Sequence, residues 1–336
     1  MTKLKKYNTI EEWETAKMNG NIPYPGVGLI VENGSVAFMK QPIHTLPIKA
    51  VFYDSATGSF VKMYPDEITE AIPTYTPIGV EVIPAEHDVY GTGQAGIMSL
   101  AEMNYSTPDV GSTSNQAMYW GGYSVDTSLP NLDKFNLVDG SVASSGYLPF
   151  DQFTGATSLD GVSTYYDSST SNNSPSPFNA YGGRNEAYYT TTYSTANALS
   201  DFDGVGNTKV LTDLATAQSD WKTAATITNN GNAGYYPAAC CCWRFHTAGT
   251  EQGQWYFPAC GEMGYVVNRI KAINFTINKI KSVYSSVVAV AVRTNDYYLS
   301  SSEYSANATH AFRTGSGGVG GHGKSNGIYV RAFLRI

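Results

Sequence analysis

The sequence predicts an α+β fold in which short strands, turns and ordered loops outweigh helices. Charged residues make up only 15% of the 336 residues, whereas 33 residues are glycine and 25 are tyrosine. Glycine favours turns and tyrosine favours strands, and long stretches rich in Ser, Thr and Asn favour loops. Apolar residues recur at helical spacing in two segments, which supply the helical part of the fold. A chain of this length predicts about two domains, one small and one large.

Residues 1–72 are predicted to form a small β-rich N-terminal domain. Thr9 and Glu12 have the spacing of a capping box, which predicts a short helix that ends at Gly20. Asn33-Gly34 lies between two apolar runs and is a strong signal for a β-hairpin. The predicted strands are residues 27–31, 35–39, 50–53 and 59–63.

Residues 73–336 are predicted to form the larger domain, and Pro73 and Pro77 mark its boundary. Its middle, residues 105–200, is rich in Ser, Thr, Asn and Gly, but the many tyrosines supply apolar area that disordered segments lack. We therefore expect ordered loops there. The first of two amphipathic helices is expected to follow an Asn207-Thr208 cap. The predicted elements are a strand at 78–83, helices at 210–222 and 262–282, and a strand at 287–292.

Charge and hydropathy restrict the classes of partner. The net charge of −7 speaks against nucleic acid, because phosphates are bound by clustered Lys and Arg. The lysines near the N-terminus are followed by no apolar run, so neither a secretion signal nor a membrane anchor is expected. No window approaches the length of a membrane-spanning helix, and no membrane insertion is expected. We expect synthesis in a cytosol, with any exit by lysis or within a particle.

The four cysteines are the first candidates for chemistry. Cys240, Cys241 and Cys242 are consecutive, which makes them poor disulfide partners of each other and gives no zinc spacing. We expect buried, reduced thiols, with a bridge from one of them to Cys260 as the alternative. A pairing with His246 would resemble a Cys–His nucleophile, but a reactive thiol needs a partly exposed, polarising environment. The histidines show no metal-binding spacing either, so no metal or cofactor is expected.

Two other segments resemble ligand-binding loops without the necessary context. The segment 318–325, GVGGHGKS, satisfies the P-loop expression, but only eleven residues follow it and they resemble a strand. A P-loop needs a buried strand before it and a helix after it, so nucleotide binding is not expected. The segment 201–207 is rich in oxygen ligands like a calcium loop, but it lacks the third acidic position and the closing glutamate. We expect a tight turn that leads into the next helix.

The last 40 residues alternate a regular framework with small and polar side chains that look freely interchangeable. Such a pattern suggests a scaffold that displays a changeable surface. The framework segments are SSSEYS from Ser300, the run Gly315–Val319, the pair Gly323-Lys324 and the strand 329–333.

These residues carry a resemblance to a known family. The segment 255–263, WYFPACGEM, resembles the W-x-L-P-x-x-x-E-L signature of the DUF1566-type C-type-lectin fold. SSSEYS and the strand from Tyr329 resemble the closing strands of that fold, and the resemblance spans most of residues 77–336. The chain looks most like the gut-phage and Bacteroides-type variable proteins of diversity-generating retroelements. The resemblance implies a C-type-lectin-like domain with two helices and long ordered loops, and a variable segment at about 297–329.

The resemblance also implies a function, which is non-catalytic receptor binding by a phage tail or fibre protein in the virion. Its partners would be a host cell-surface protein or glycan, and other virion proteins through residues 1–72; a homotrimer is also expected of fibre tips. The implied framework is Phe312, Gly315, Gly317, Val319, Gly323, Lys324 and the strand from Tyr329. The implied ligand-binding positions are Asn307, Thr309, His310, Ser316, Gly318, Gly320, Gly321, His322, Ser325, Asn326, Gly327 and Ile328.

Two other functions stay open at this point. An enzyme on the same scaffold is one, because formylglycine-generating oxidases are similar to this fold and use cysteines. A structural phage decoration protein is the other. The displayed positions contain no Tyr or Trp, the residues that usually supply binding hot spots, so the resemblance implies a binding platform without implying tight binding.

Overall fold

The computed structural model describes residues 48–127 except 88 and 113–115, residue 129, residues 201–314 and residues 319–336. It also describes Glu12 and five short strands elsewhere, the latter as backbone only. Within the long ranges, the side chains of Glu86, Asn268, His310 and Val319 are not described. The described strands are β1 (Lys5–Tyr7), β2 (Val27–Glu32), β3 (Ser35–Lys40), β4 (Ala50–Asp54), β5 (Ser59–Met63), β6 (Tyr75–Ile83), β7 (Gly96–Ser99), β8 (Phe135–Asn136), β9 (Val142–Ala143), β10 (Trp255–Tyr256), β11 (Tyr297–Ser305), β12 (Ala308–Arg313), β13 (Val319–Gly323) and β14 (Phe333–Arg335). The described α-helices are α1 (Gly204–Asp213), α2 (Pro237–Arg244) and α3 (Cys260–Val283).

The protein is α+β, as predicted, and its main sheet has six strands in the order β10-β14-β7-β6-β4-β5. All neighbours in this sheet are antiparallel. Successive side chains point to opposite faces of a strand, and both faces of this sheet are buried. Phe52 and Met98 pack with α3 on one face, whereas Val51 and Ile97 pack with α1 and α2 on the other. The sheet is therefore the middle layer between two helical layers.

The N-terminal strands confirm the hairpin prediction but move the domain boundary. β2 and β3 pair in antiparallel register up to Glu32 and Ser35, so Asn33-Gly34 joins the two strands as predicted. The hairpin β4–β5 was expected in the N-terminal domain, yet β4 pairs with β6 in the main sheet. A boundary at residue 72 would divide this hydrogen-bonded sheet, so that boundary is wrong. The predicted helix from Thr9 lies outside the described residues except for Glu12, which is helical.

Both long helices exist, but α1 starts earlier than predicted and ends earlier. Asp203 caps it by accepting a hydrogen bond from the Gly206 amide, so the predicted Asn207-Thr208 cap is wrong. Those two residues lie inside the helix, where the Thr208 hydroxyl donates to the Gly204 carbonyl of the same helix and accepts from the Phe257 amide. Helix α1 ends at Asp213, and turns replace the remainder of the predicted helix.

Helix α3 agrees with the periodic pattern that predicted it, and its apolar stripe is buried against the sheet. Its first turn is fixed by Glu262, whose carboxylate accepts hydrogen bonds from the Ala259 amide at 2.7 Å and the Tyr256 hydroxyl at 2.6 Å. Burial raises the pKa of Glu262 from 4.5 to about 7, against the opposing effects of Arg335 and of these hydrogen bonds. The segment 255–263 is therefore a short strand, a turn and a helix start held by one buried carboxyl group.

The apolar segment 287–292 is not a strand, so that prediction is wrong. Side chains occupy the backbone groups that a neighbouring strand would use. Asn274 donates to the Val292 carbonyl at 2.8 Å and accepts from the Val292 amide at 2.6 Å. The guanidinium of Arg331 donates to the carbonyls of Val290 and Ala291. An extended segment can satisfy its backbone in this way without joining a sheet.

Within the described residues, no helix is long and apolar enough to cross a membrane.

Replacing Asn274 by Ala is expected to destabilise the protein by about 2–3 kcal/mol, because two backbone groups of Val292 lose their partner. The free energy of unfolding in urea measures the effect. Asn278→Ala is the matched control, since Asn278 lies on the same helix with its side chain exposed, and it should change stability by no more than about 0.5 kcal/mol. Equal effects of the two changes would contradict this account of the segment.

Replacing Glu262 by Gln is expected to alter how stability depends on pH. The folded protein binds the Glu262 proton more tightly than the unfolded chain, because the pKa is raised. The stability linked to that proton is complete below pH 4.5 and is lost as pH rises through about 7. Gln carries no such proton, so the variant does not lose this stability. As pH rises over this range, its free energy of unfolding should increase relative to that of the wild type by up to roughly 3 kcal/mol. Urea unfolding at pH 4.5, 6 and 8 measures this difference in stability. Glu251→Gln is the control, because Glu251 is exposed. Parallel pH profiles for Glu262→Gln and the wild type would contradict the role given to the Glu262 proton.

Candidate ligand-binding surface

The C-terminal sheet has the order β11-β12-β13, and its first strand is held by buried polar contacts. Ser300, Ser301 and Ser302 are all fully buried. The Ser302 hydroxyl donates to Asp201 at 2.6 Å and accepts from the Cys260 amide at 2.9 Å. The Ser301 amide donates to the Pro258 carbonyl at 2.8 Å. Small hydroxyl side chains fit here because β11 passes directly beside the first residues of α1 and α3.

Glu303, the next residue, forms a buried ion pair with Lys324. The Lys324 side chain is fully buried, and its ammonium group donates to Glu303 and to the Val125 carbonyl. It also lies 4.6 Å from the centre of the Trp120 ring. Burial lowers the pKa of Lys324, and Glu303 opposes that shift. Thr127 completes the site by donating its hydroxyl to Glu303 at 3.0 Å.

The Glu303–Lys324 ion pair explains why the segment 318–325 does not form a P-loop. Its residues 319–323 form strand β13, and Lys324 is directed into the protein towards Glu303. No helix follows it, because the last described element is strand β14. The lysine that would bind phosphate in a P-loop is thus committed to an internal contact.

Three segments meet beside this ion pair. Asn307, at the turn between β11 and β12, joins them: its carbonyl accepts from the Lys324 amide at 3.0 Å, and its side chain accepts from the Ser124 hydroxyl at 3.1 Å. We call the result the hairpin surface. Its exposed residues are Tyr123, Ser124, Asp126, Tyr304, Ser305, Asn307, Gly321, Ser325, Asn326 and Gly327.

The predicted ligand-binding positions divide into groups by burial. Five of them are exposed on the hairpin surface, and Gly320 and His322 are partly exposed. The ring of His322 packs against Tyr297 with centroids 4.3 Å apart, and burial lowers its pKa. The five exposed positions are Asn307, Gly321, Ser325, Asn326 and Gly327.

Thr309 and Ile328 do not face solvent, which corrects their assignment as displayed positions. The Thr309 hydroxyl is buried and donates to the carbonyls of Ser300 and Ser302. Ile328 exchanges backbone hydrogen bonds with Met118 in both directions, and its side chain is buried in the core. Ser316, Gly318 and the framework glycines 315 and 317 lie outside the described residues, as does the side chain of His310.

The glycines of this region are of two kinds. Gly121 has a φ of 94°, and a Cβ there would collide with the Tyr235 carbonyl, so the backbone requires glycine. Gly320 and Gly321 lie outside the left-handed region. A Cβ at Gly320 would meet nothing within 4 Å, and one at Gly321 would meet Tyr304 at 3.3 Å. The backbone at Gly320 therefore accepts a side chain, whereas a side chain at Gly321 requires the Tyr304 ring to move by a few tenths of an ångström.

The two most exposed aromatic residues of the hairpin surface were missed by the sequence analysis. Tyr304 belongs to the SSSEYS segment and was counted as framework only. Tyr123 lies far from it in the chain, and no local pattern indicates that its loop meets the β11–β12 turn. The contact between Ser124 and Asn307 brings that loop to the turn, which depends on tertiary structure.

The cysteines are placed as predicted. All four are free and buried. Burial raises the pKa of every one of these thiols. A thiol with a raised pKa is a poor nucleophile at neutral pH. The His246 ring contacts the carbonyl of Arg244 at 3.1 Å, on the residue that ends α2.

The segment that resembles a calcium loop forms the predicted turn into a helix. Asp201 accepts hydrogen bonds from Asn207 at 2.9 Å and from Ser302, and Asp203 caps α1. Its carboxylates are therefore engaged by protein donors. Across the described ranges, no group of three or more His, Cys, Asp or Glu residues is arranged to hold a metal ion.

Comparison with known proteins adds little to this description. No protein-family model and no curated protein matches the chain. Among solved structures, the chain is similar to a fimbrial protein from Bacteroides ovatus at 14% sequence identity and a TM-score of 0.42. The match covers 90% of this chain and 56% of that chain, so this chain spans little more than half the length of that protein. A likeness of this degree identifies no family, and the α+β class rests on the elements described above.

Breaking the buried ion pair from one side is expected to be costly. Lys324→Met leaves Glu303 buried without its cation, and Glu303→Gln leaves Lys324 without its anion; each should destabilise the protein by about 3–5 kcal/mol. The double variant should recover a large part of that loss, because neither charge remains uncompensated. Urea unfolding of the wild type, both single variants and the double variant gives the coupling energy.

The exposed pair Lys209 and Asp213 is the matched control for this cycle. Its atoms lie 2.7 Å apart, but the side chains are 77% and 65% exposed. Lys209→Met and Asp213→Asn should therefore couple by no more than about 0.5 kcal/mol. A similarly small coupling for Glu303 and Lys324 would show that the buried pair is unimportant for the fold.

Proposed function

We propose that this protein is a non-catalytic ligand-binding protein that displays a diversified surface on a C-type-lectin-like scaffold, as in the variable proteins of diversity-generating retroelements. In this proposal it is a phage tail or fibre protein of the virion, and its ligand is a protein or glycan on the host cell surface. The N-terminal segment that carries β1, β2 and β3 would attach it to other virion proteins, and a homotrimer would suit a fibre tip.

One observation carries the proposal: rigid framework residues and tolerant displayed residues alternate within a few positions of the chain. Lys324 is fully buried and paired with Glu303, whereas the next residues, Ser325 and Asn326, are exposed. Gly320, four positions before it, has room for a side chain, since a Cβ there would meet nothing within 4 Å. A surface of this kind can change its side chains without changing its fold.

The cysteines support the absence of catalysis. An enzyme of the formylglycine-generating type would need a reactive thiol, and such a thiol requires a partly exposed, polarising environment. The four thiols here are buried and their pKa values are raised. No comparable observation favours a purely structural decoration protein over a binding protein.

The first test is genetic. Sequencing of sibling gene copies and of the flanking DNA should reveal a template repeat and adenine-directed substitutions. These substitutions should concentrate at Asn307, Gly320, Gly321, Ser325 and Asn326, while codons of the strand around Val330 stay constant. Equal variation in both sets, or no template repeat, would exclude diversification.

The second test measures tolerance directly. Gly320→Tyr should change the free energy of unfolding by less than about 1 kcal/mol, because its side chain enters open space. Gly121→Ala should cost several kcal/mol, since it combines a positive φ with a collision against the Tyr235 carbonyl. Thermal and urea unfolding of the two variants compare them. Similar losses at both positions would contradict the division into tolerant and framework glycines.

A further inference from the structure

An asparagine that is followed by glycine can react with its own main chain. The backbone nitrogen of the glycine attacks the side-chain carbonyl carbon of the asparagine, and glycine has no Cβ to hinder the approach. Two such pairs lie where side chains are described, Asn230-Gly231 and Asn326-Gly327, whereas Asn19-Gly20 and Asn33-Gly34 lie outside that part of the chain. The two described pairs have opposite environments.

Asn326 and Gly327 are both exposed, in the turn that follows β13. Within the described residues, the Gly327 amide donates no hydrogen bond, and the Asn326 side chain has no hydrogen-bond partner. The Asn326 carboxamide lies over Gly323, since a Cβ on that glycine would be 3.3 Å from its nitrogen. Exposed side chains exchange rotamers within nanoseconds, so this carboxamide reaches the Gly327 nitrogen without unfolding of the protein.

Asn230-Gly231 is protected by its position. Gly231 is buried, and a Cβ on it would be 2.8 Å from the Ser325 Cα. The Asn230 side-chain oxygen accepts a hydrogen bond from the Asn232 amide at 2.9 Å. Hydroxide must remove the glycine amide proton before the nitrogen can attack, and at Gly231 it does so only after the segment opens locally. The same two residue types therefore differ in reactivity through the fold.

The chain is anchored on both sides of Asn326. The Lys324 amide donates to the Asn307 carbonyl at 3.0 Å, and Ile328 exchanges backbone hydrogen bonds with Met118 in both directions. Only three residues lie between these anchors, and all three are exposed. A change of backbone length at Asn326 must therefore be absorbed by this short exposed segment.

We propose that Asn326-Gly327 is a site of spontaneous deamidation in the folded protein. After hydroxide removes its proton, the Gly327 nitrogen forms a bond to the Asn326 Cγ, the Cγ–Nδ2 bond breaks, and the side-chain nitrogen takes up a proton from water and leaves as ammonia. Water then opens the resulting succinimide ring. Addition of water at Cγ gives aspartate, whereas addition at the backbone carbonyl carbon gives isoaspartate, whose main chain runs through Cβ and Cγ.

Both products alter a displayed position after synthesis, without a change in the gene. Each replaces the neutral Asn326 side chain by a carboxylate. Isoaspartate also lengthens the main chain by one methylene group between Lys324 and Ile328, which displaces the exposed residues between these anchors. The inference goes beyond the proposed function and depends on no ligand, because the reaction is measured on the free protein.

The experiment is incubation of the folded full chain at pH 6 and pH 9, followed by tryptic digestion at mildly acidic pH. The tryptic peptide 325–331 contains Asn326 as its only asparagine, and the peptide 223–244 contains Asn230. Tandem mass spectrometry measures the products at each position, and an isoaspartate methyltransferase assay counts isoaspartate independently. A parallel incubation in guanidinium chloride removes the fold. Asn326→Gln is the matched variant, because attack on its longer side chain closes a six-membered ring, which forms more slowly.

In the folded protein, Asn326 should react at least about tenfold faster than Asn230, since only the second requires local opening. The reaction should be faster at pH 9, and the two rates should converge in guanidinium chloride. Asn326→Gln should leave the peptide 325–331 unmodified and retain the thermal unfolding midpoint of the wild type.

Equal rates at Asn326 and Asn230 in the folded protein would overturn the proposal, as would an Asn326 that stays intact at pH 9. The same rate ratio with and without guanidinium chloride would assign the difference to local sequence and overturn the role of the fold. None of these results bears on the proposed function, which the genetic test decides separately.

Discussion

The Lys324 ammonium group lies inside the protein between the Glu303 carboxylate and the Trp120 ring. A buried charge is tolerated only with a close partner of opposite charge and further hydrogen bonds, and this lysine has both. The same contacts determine where three segments of the chain must lie. Glu303 fixes the end of β11, the lysine fixes the turn after β13, and the Val125 carbonyl fixes the loop that carries Tyr123.

The serines before Glu303 extend this constraint into the rest of the molecule. Asn207 of α1 donates both to the Ser301 hydroxyl at 3.1 Å and to Asp201. Ser302 connects the same aspartate to the first residue of α3. Strand β11 is thus bound to the starts of two helices that pack on opposite faces of the main sheet. The hairpin surface consequently rests on the core and is not a separate flexible appendage.

Elements determined by residues close together in the chain were predicted correctly, whereas elements determined by contacts between distant parts of the chain were missed. Asn33-Gly34 and the apolar stripe of α3 are local signals, and both gave the correct element. The segment 287–292 has an equally clear local pattern, but the side chains of Asn274 and Arg331, from other parts of the chain, bond four of its backbone groups. The same distinction applies to the candidate surface. The displayed positions were predicted from the local pattern around Lys324, whereas the position of the Tyr123 loop beside the hairpin is evident only in the folded structure.

Under the proposed diversification, the framework also limits which copies of the gene can be used. A lysine codon is AAA or AAG, so copying that replaces adenines would alter Lys324 as readily as Asn326. A change at Asn326 meets solvent, whereas a change at Lys324 leaves a buried carboxylate without its cation. Copies altered at Lys324 would be destabilised whatever ligand their displayed side chains could bind. The useful diversity is therefore restricted by the ion pair beneath the displayed residues.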